Sequence, residues 1–283
     1  MLSATGRKAT PRRRRSPYSD KQHYQEYILQ RIEGYKNSIG RDELLRLGDE
    51  AAAELHAAAE GQFVLTEVLM LESVDRLIMK RLSLRSYQKW RQQFLKLRQA
   101  QRTPTHWGIE PDGVLARLAP RAEPEDQVLI IGSGGEAATY LFAAYDAAVT
   151  FVAADLGAVE RVETQMASEA LAGLFEGYVV QLGPTLPGFL DNITSIDLVV
   201  IDPGALAELE VADRCDLVRD LQRRSRSGGV HVLLPSSPNL APEALLSLYE
   251  GWELDSAPKS RRRAGAARRA GLLLTKSCPP DTT

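Results

Sequence analysis

The chain has 283 residues, is 44% apolar and 25% charged, and carries a formal net charge of −2, as expected of an ordinary soluble globular protein with room for a sizeable core. Its longest apolar runs, such as 128–131 and 272–274, are far too short to span a bilayer, and the basic start is not followed by the apolar stretch of a secretory signal. Cys215 and Cys278 lack partner spacing and read as free thiols of a reducing, cytoplasmic compartment. His23, His56, His106 and His231 are scattered without ligand spacing, so no metal site is expected.

The small net charge hides an asymmetry. Residues 1–20 hold six basic side chains against Asp20, and 259–269 hold six more with no acid, which leaves about −13 on the remainder. Two basic segments on an acidic body suit an anionic partner, nucleic acid among the possibilities, or else a solvated tail and a surface loop. No aromatic stacking series or zinc-finger spacing accompanies them.

In chain order, residues 1–19 are rich in Pro, Arg and Ser and read as a disordered basic tail. Residues 20–107 read as a helical domain. Tyr24, Tyr27, Ile28 and Ile32 form one apolar face, and Leu44, Leu47, Ala51 and Leu55 form another at helical spacing. Asp42 and Asp49 read as helix starts, and Gly40 and Gly61 as breaks. A last helix is expected over 84–101, burying Tyr87, Trp90, Phe94 and Leu97. Such a domain would serve as a lid, a substrate-selecting cap or a homodimer surface. After a loop at 103–111, Pro111 is expected to open a short helix to Leu118.

From Asp126 the period changes. Strands are expected at 128–131, 149–153, 178–181, 196–201, 230–234, 252–254 and 272–275. Helices are expected at 136–145, 157–173, 205–209, 214–224 and 242–249. This alternation predicts an α/β domain over 108–283: a doubly wound, seven-stranded, mostly parallel sheet whose last two strands form a hairpin.

The chemistry concentrates in residues 128–155, VLIIGSGGEAATYLFAAYDAAVTFVAAD. An apolar run leads into Gly132, Ser133, Gly134, Gly135 and Glu136, then a helical stretch and a second apolar run that ends at Asp155. Glycine lets a pyrophosphate or a carboxylate approach the backbone at a helix start. Gly132 to Ala137 also fits G-x-G-x-x-A, a dinucleotide fingerprint, and an acid at Asp155 can accept hydrogen bonds from ribose hydroxyls. Each residue also has a plain structural role. The glycines allow tight strand–helix packing, and Asp155 and Asp202 can cap the helices that follow them.

The segments IDLVVIDPGAL (196–206) and SRSGGVHVLLP (225–235) and the closing hairpin, together with the glycine turn, resemble the class I S-adenosylmethionine-dependent methyltransferases over about residues 108–277. The resemblance implies S-adenosylmethionine as cofactor and a seven-stranded sheet with its last strand antiparallel. It places Gly132, Ser133 and Gly134 beside the methionine part, Asp155 on the ribose, Gln181 and Leu182 near adenine, and Asp202 and Pro203 facing the transferred methyl group. Four positions depart from the family pattern. Ile130 stands where many members carry an acid for the methionine ammonium, and Glu136 replaces the third glycine. The acid after strand three is absent from Gln181–Leu182–Gly183, and Asp202–Pro203–Gly204 replaces the Asp/Asn-Pro-Pro-aromatic motif of amino-methylating members. Glu136 is a candidate to supply the missing charge at the ammonium. No catalytic base is named, and His231 is expected to be structural.

Three functions follow: methyl transfer to an unknown, perhaps anionic, substrate; a methyltransferase-like protein without catalysis that binds a partner or nucleic acid through its basic segments; and an NAD(P)-dependent enzyme.

Overall fold

The computed structural model describes residues 19–58, 67–235, 239–255 and 271–277. Residues 1–18 of the basic tail and all of the basic segment 259–269 lie outside them, so the partner and nucleic-acid expectations that rest on those segments do too. Two compact units divide between Leu97 and Arg98, ten residues before the expected end of the helical domain.

The first unit holds α1 (Asp20–Ser38), α2 (Arg41–Ala58), α3 (Glu67–Arg81) and the start of α4 (Tyr87–Gln101). Ser19 and Gln22 form a capping box at α1, satisfying two backbone N–H groups that a helix start leaves unpaired. Ile32, Leu47, Ala51, Val74, Leu77 and Ile78 make its core. Trp90 stacks on Phe94 at 4.7 Å and meets Tyr24 at 5.2 Å. Asp49 starts no helix, since α2 runs through it.

The second unit begins within α4. There Arg102 donates to the Ala144 carbonyl at 2.8 Å and to Asp146 at 3.0 Å, and Gln101 donates to Glu169 at 2.9 Å. These bonds explain why the boundary precedes the loop at 103–111. The next helix, α5 (Val114–Leu118), is capped by Gly113 rather than opened by Pro111.

Seven strands follow: β1 (Gln127–Ile131), β2 (Ala148–Ala153), β3 (Phe175–Val179), β4 (Ile196–Ile201), β5 (Ser225–Leu233), β6 (Trp252–Asp255) and β7 (Leu272–Lys276). They form one sheet in the order β3-β2-β1-β4-β5-β7-β6. Strands β1 to β5 pair in parallel, and β7 is antiparallel to both β5 and β6, so β6 points the same way as β1. Helices α6 (Glu136–Ala144), α7 (Leu156–Ser168), α8 (Pro203–Leu206) and α9 (Val211–Arg224) connect them.

The strands are apolar on both faces because both faces are covered. Val128 and Ile130 of β1 enter one core with α6 and α7; Leu129 and Ile131 enter another with α8 and α9. The sheet reverses its strand order between β1 and β4, where connections leave in opposite directions and open a crevice at the carboxyl edge.

Several limits differ from the pattern. β3 starts three residues before its expected start, because the register Val149↔Phe175 recruits Glu176 and Gly177, which look unlike strand residues. β5 starts at Ser225; a register shift opposite β4 between Ile196 and Leu198 absorbs the Gly228–Gly229 pair, and Gly228 has φ +73°. α7 ends at Ser168, shortly before Ala170 at φ +54°. The segment Pro242–Leu248 is 3-10 rather than α-helical.

His231 is wholly buried in β5. Ser225 Oγ donates to the Leu221 carbonyl at 2.8 Å and lies 2.8 Å from His231 Nε2, while Nδ1 lies 3.0 Å from the Tyr249 hydroxyl. Because the serine proton is already given away, Nε2 carries the ring proton and Tyr249 donates to Nδ1. Burial, with Lys276 nearby, pushes the imidazole down to about 3. His231 is structural.

Candidate functional site

The candidate residues meet at one edge. Gly132 follows β1, Asp155 follows β2, Gln181 lies two residues beyond β3, and Asp202 follows β4. Parallel strands put all four ends on the same side. The ladder continues past the strand ends: Gly132 N–H donates to Val152, Val180 N–H to Ala153 and Asp202 N–H to Ile131, each at 2.8 Å.

The glycine turn is a tight one. Gly132 has φ +94° and ψ 153°, a region essentially closed to residues with a Cβ. Ser133–Gly135 then form a 3-10 turn, and Glu136 opens α6. A Cβ on Gly132 would lie 2.7 Å from Asp202 Cβ and 2.8 Å from Ala205 Cβ; one on Gly134 would lie 2.6 Å from Asp202 Oδ2. Gly135 presses on Ile130 Cγ2. The three glycines therefore bring the β4 loop, α6 and β1 together, and the packing role read from the sequence holds at each.

Asp155 N-caps α7: Oδ1 accepts from Gly157 N–H and Oδ2 from Ala158 N–H, both at 3.1 Å. Its side chain is nevertheless 64% exposed. Two carboxylate oxygens offer about four acceptor positions, so two remain for ligand hydroxyls. Capping and ligand binding are compatible here.

Asp202 is bonded on both sides. Oδ1 accepts from Gly204 N–H and caps α8; Oδ2 accepts from Gly134 N–H across the crevice, both at 2.9 Å. Glu136 is engaged by Arg161 at 2.8 Å, and the same guanidinium lies 3.9 Å from Asp155. Side-chain bonding to Glu136 raises the Arg161 pKa. Gln181 is exposed and makes no polar contact with the other candidates.

Three contributors were invisible in the sequence. Arg161 stands 25 residues from its partner Glu136, beyond any local pattern. Ala205 faces Gly132, a contact that no local pattern signals. Leu156, next to Asp155, is 56% exposed at this edge; its signal would have been an apolar residue placed straight after the acid, where α7 has only begun.

The edge offers an exposed carboxylate with spare acceptors, an exposed apolar side chain beside it, and a second carboxylate at a glycine turn. The two carboxylates match a ligand with a ribose diol and a cationic end, and Arg161 and Gln181 bring N–H donors to the same edge. The Gly134 N–H is already taken by Asp202. Among the described residues, no group of three or more His, Cys, Asp or Glu is placed to hold a metal ion, and no helix is long and apolar enough to cross a membrane.

No family model matches the chain, and no curated protein matches it. Among solved structures, it is similar to the glycopeptide N-methyltransferase MtfA complexed with S-adenosyl-L-methionine, at 16% identity over 60% of this chain and 95% of that one, with a TM-score of 0.44. A TehB-like SAM-dependent methyltransferase from Corynebacterium glutamicum aligns at 14% identity over 68% and 97% of the two chains, TM-score 0.43. The N-methyltransferase NodS from Bradyrhizobium japonicum aligns at 14% identity over 58% and 92%, TM-score 0.44. These are likenesses of chain trace; the class of the fold follows from the order and direction of the seven strands.

Proposed function

We propose that the α/β unit binds S-adenosylmethionine at the carboxyl edge of β1, β2, β3 and β4 and directs its methyl group to a nucleophile on a second substrate. The single observation that carries this reading is the sheet itself. The methyltransferase resemblance implies a seven-stranded sheet whose last strand is antiparallel, and β7 is antiparallel to both its neighbours in the order β3-β2-β1-β4-β5-β7-β6. It is not the classic 3-2-1-4-5-6 order of dinucleotide-binding sheets, which weighs against an NAD(P) enzyme.

Bound there, S-adenosylmethionine supplies an electrophilic methyl group on a cationic sulfonium. In this reading Asp155 accepts the ribose hydroxyls through its two spare positions. Leu156 offers an apolar surface to the base, and Gln181 lies on the same side. The aminoacyl end points toward the glycine turn, where the Asp202 carboxylate stands. Protein groups then hold donor and acceptor in line, which is most of what such a transfer needs. No general base is assigned, since one is required only when the nucleophile must first lose a proton.

The acceptor substrate is proposed to be anionic. β6 runs parallel to β1, so the connection leaving Asp255 starts at this edge, and its sequence holds six basic residues. Calorimetric titration with S-adenosylhomocysteine, S-adenosylmethionine and NAD tests the reading. Micromolar binding of the first two and none of NAD is expected. No binding of any of them by folded protein would overturn the enzyme reading and leave a partner-binding protein; binding of NAD alone would reinstate the dinucleotide reading.

A further inference from the structure

Ile130 is wholly buried, with its Cγ2 against Gly135, so β1 brings no charge to the glycine turn. Glu136, the other candidate, is held by Arg161 at 2.8 Å. The carboxylate that reaches the turn is Asp202. Its Oδ2 takes the Gly134 N–H at 2.9 Å and would lie 3.2 Å from a Cβ on Gly132 and 2.6 Å from one on Gly134. One oxygen thus stands in the space that both glycines leave open.

We propose that Asp202 is the counter-charge for the ammonium at the aminoacyl end of the cofactor, a positioning residue supplied by the strand beside β1 in place of the acid absent at position 130. The inference rests on the S-adenosylmethionine reading above. Each Asp202 oxygen has accepted one N–H and keeps acceptor capacity for an ammonium. The two backbone bonds hold the carboxylate in place before any ligand arrives, so little side-chain entropy is lost on binding. Asp202 is only partly exposed, where a charge-assisted bond is stronger and less screened than at a free surface. On this reading Asp202 recognises the aminoacyl end rather than the transferred methyl group, and Glu136 is a structural partner of α7.

The test compares two ligands sharing a nucleoside: S-adenosylhomocysteine, which carries the ammonium, and 5′-methylthioadenosine, which lacks the whole aminoacyl end. Titrated into the full chain, Asp202→Asn is expected to weaken the first by roughly 10–100-fold, the range of one charged hydrogen bond, and to leave the second within about 2-fold. Asn keeps an oxygen for a backbone N–H, so 5′-methylthioadenosine binding also reports an intact site. Glu136→Gln is expected to leave the ratio of the two affinities unchanged. Equal loss of both ligands in Asp202→Asn, or no loss of the first, overturns the proposal while the cofactor site stands. Loss of S-adenosylhomocysteine alone in Glu136→Gln transfers the role to Glu136 and overturns it too. Failure of the unaltered chain to bind either ligand removes the S-adenosylmethionine reading, and this inference with it.

Discussion

His231 makes stability depend on pH in a window where most carboxylates are already ionised. In the fold the imidazole is wholly buried and its pKa is pushed down to about 3, first by desolvation and then by Lys276. The unfolded chain takes up the proton near pH 6.5. Between those values the unfolded state holds one more proton than the folded one, so stability falls as pH falls. The contribution is complete above pH 6.5 and is lost progressively toward pH 3. The slope is about 1.4 kcal/mol per pH unit, which gives about 2 kcal/mol between pH 6.5 and 5 and corresponds to roughly 4–8 °C in melting temperature for a unit of this size. Urea unfolding at pH 7.5, 6.5, 5.75 and 5.0 measures it. The control is the double variant His231→Leu with Tyr249→Phe. It removes the titrating ring and the hydroxyl that donates to it, while Ser225 keeps its bond to Leu221. The variant is expected to lose the difference of about 2 kcal/mol across this range. Parallel pH curves for the two proteins would refute the argument, for then the ring either titrates normally in the fold or is not protected from water.

Further outcomes follow from named contacts. Gly135→Ala forces a Cβ onto Ile130 Cγ2 and is expected to cost about 1–3 kcal/mol, partly recovered by adding Ile130→Ala; thermal melts of the single and double variants decide it. Gly132→Ala adds strain at φ +94° to overlap with Asp202 and Ala205, so it should both lower the melting temperature and abolish S-adenosylhomocysteine binding in calorimetry. Asp155→Ser keeps a good N-cap for α7 but removes the carboxylate; the melt should shift by less than about 3 °C, with affinity for S-adenosylhomocysteine down at least about 10-fold. Arg224→Ala removes the 2.9 Å partner of Asp220, 7% exposed, while Arg223 at 3.3 Å and the Leu186 N–H at 3.2 Å remain, and should cost about 1–3 kcal/mol in urea unfolding with no change in ligand selectivity.

Much of this architecture was legible because its causes are local. Val128 to Ile131 and Leu198 to Ile201 are apolar on every residue, which suits a strand covered on both faces. Asp155 followed by Leu156–Gly157–Ala158 already spells an N-cap, and the structure makes that cap. Gly132 stood where a backbone closed to other residues was needed, and φ +94° is that backbone. Other features depend on partners far along the chain. The N–H of Gly134 meets Asp202 across 68 residues and Glu136 meets Arg161 across 25, and no propensity or spacing acts over such distances. The extent of β3 came from pairing with β2, since Glu176 and Gly177 have little strand preference of their own. The side-chain role of Ile130 likewise appears only once α6 lies against β1 and Gly135 touches it. Local chemistry named the residues of the edge; strand order and register decided which of them share it, because only burial against a neighbouring element determines where each side chain points.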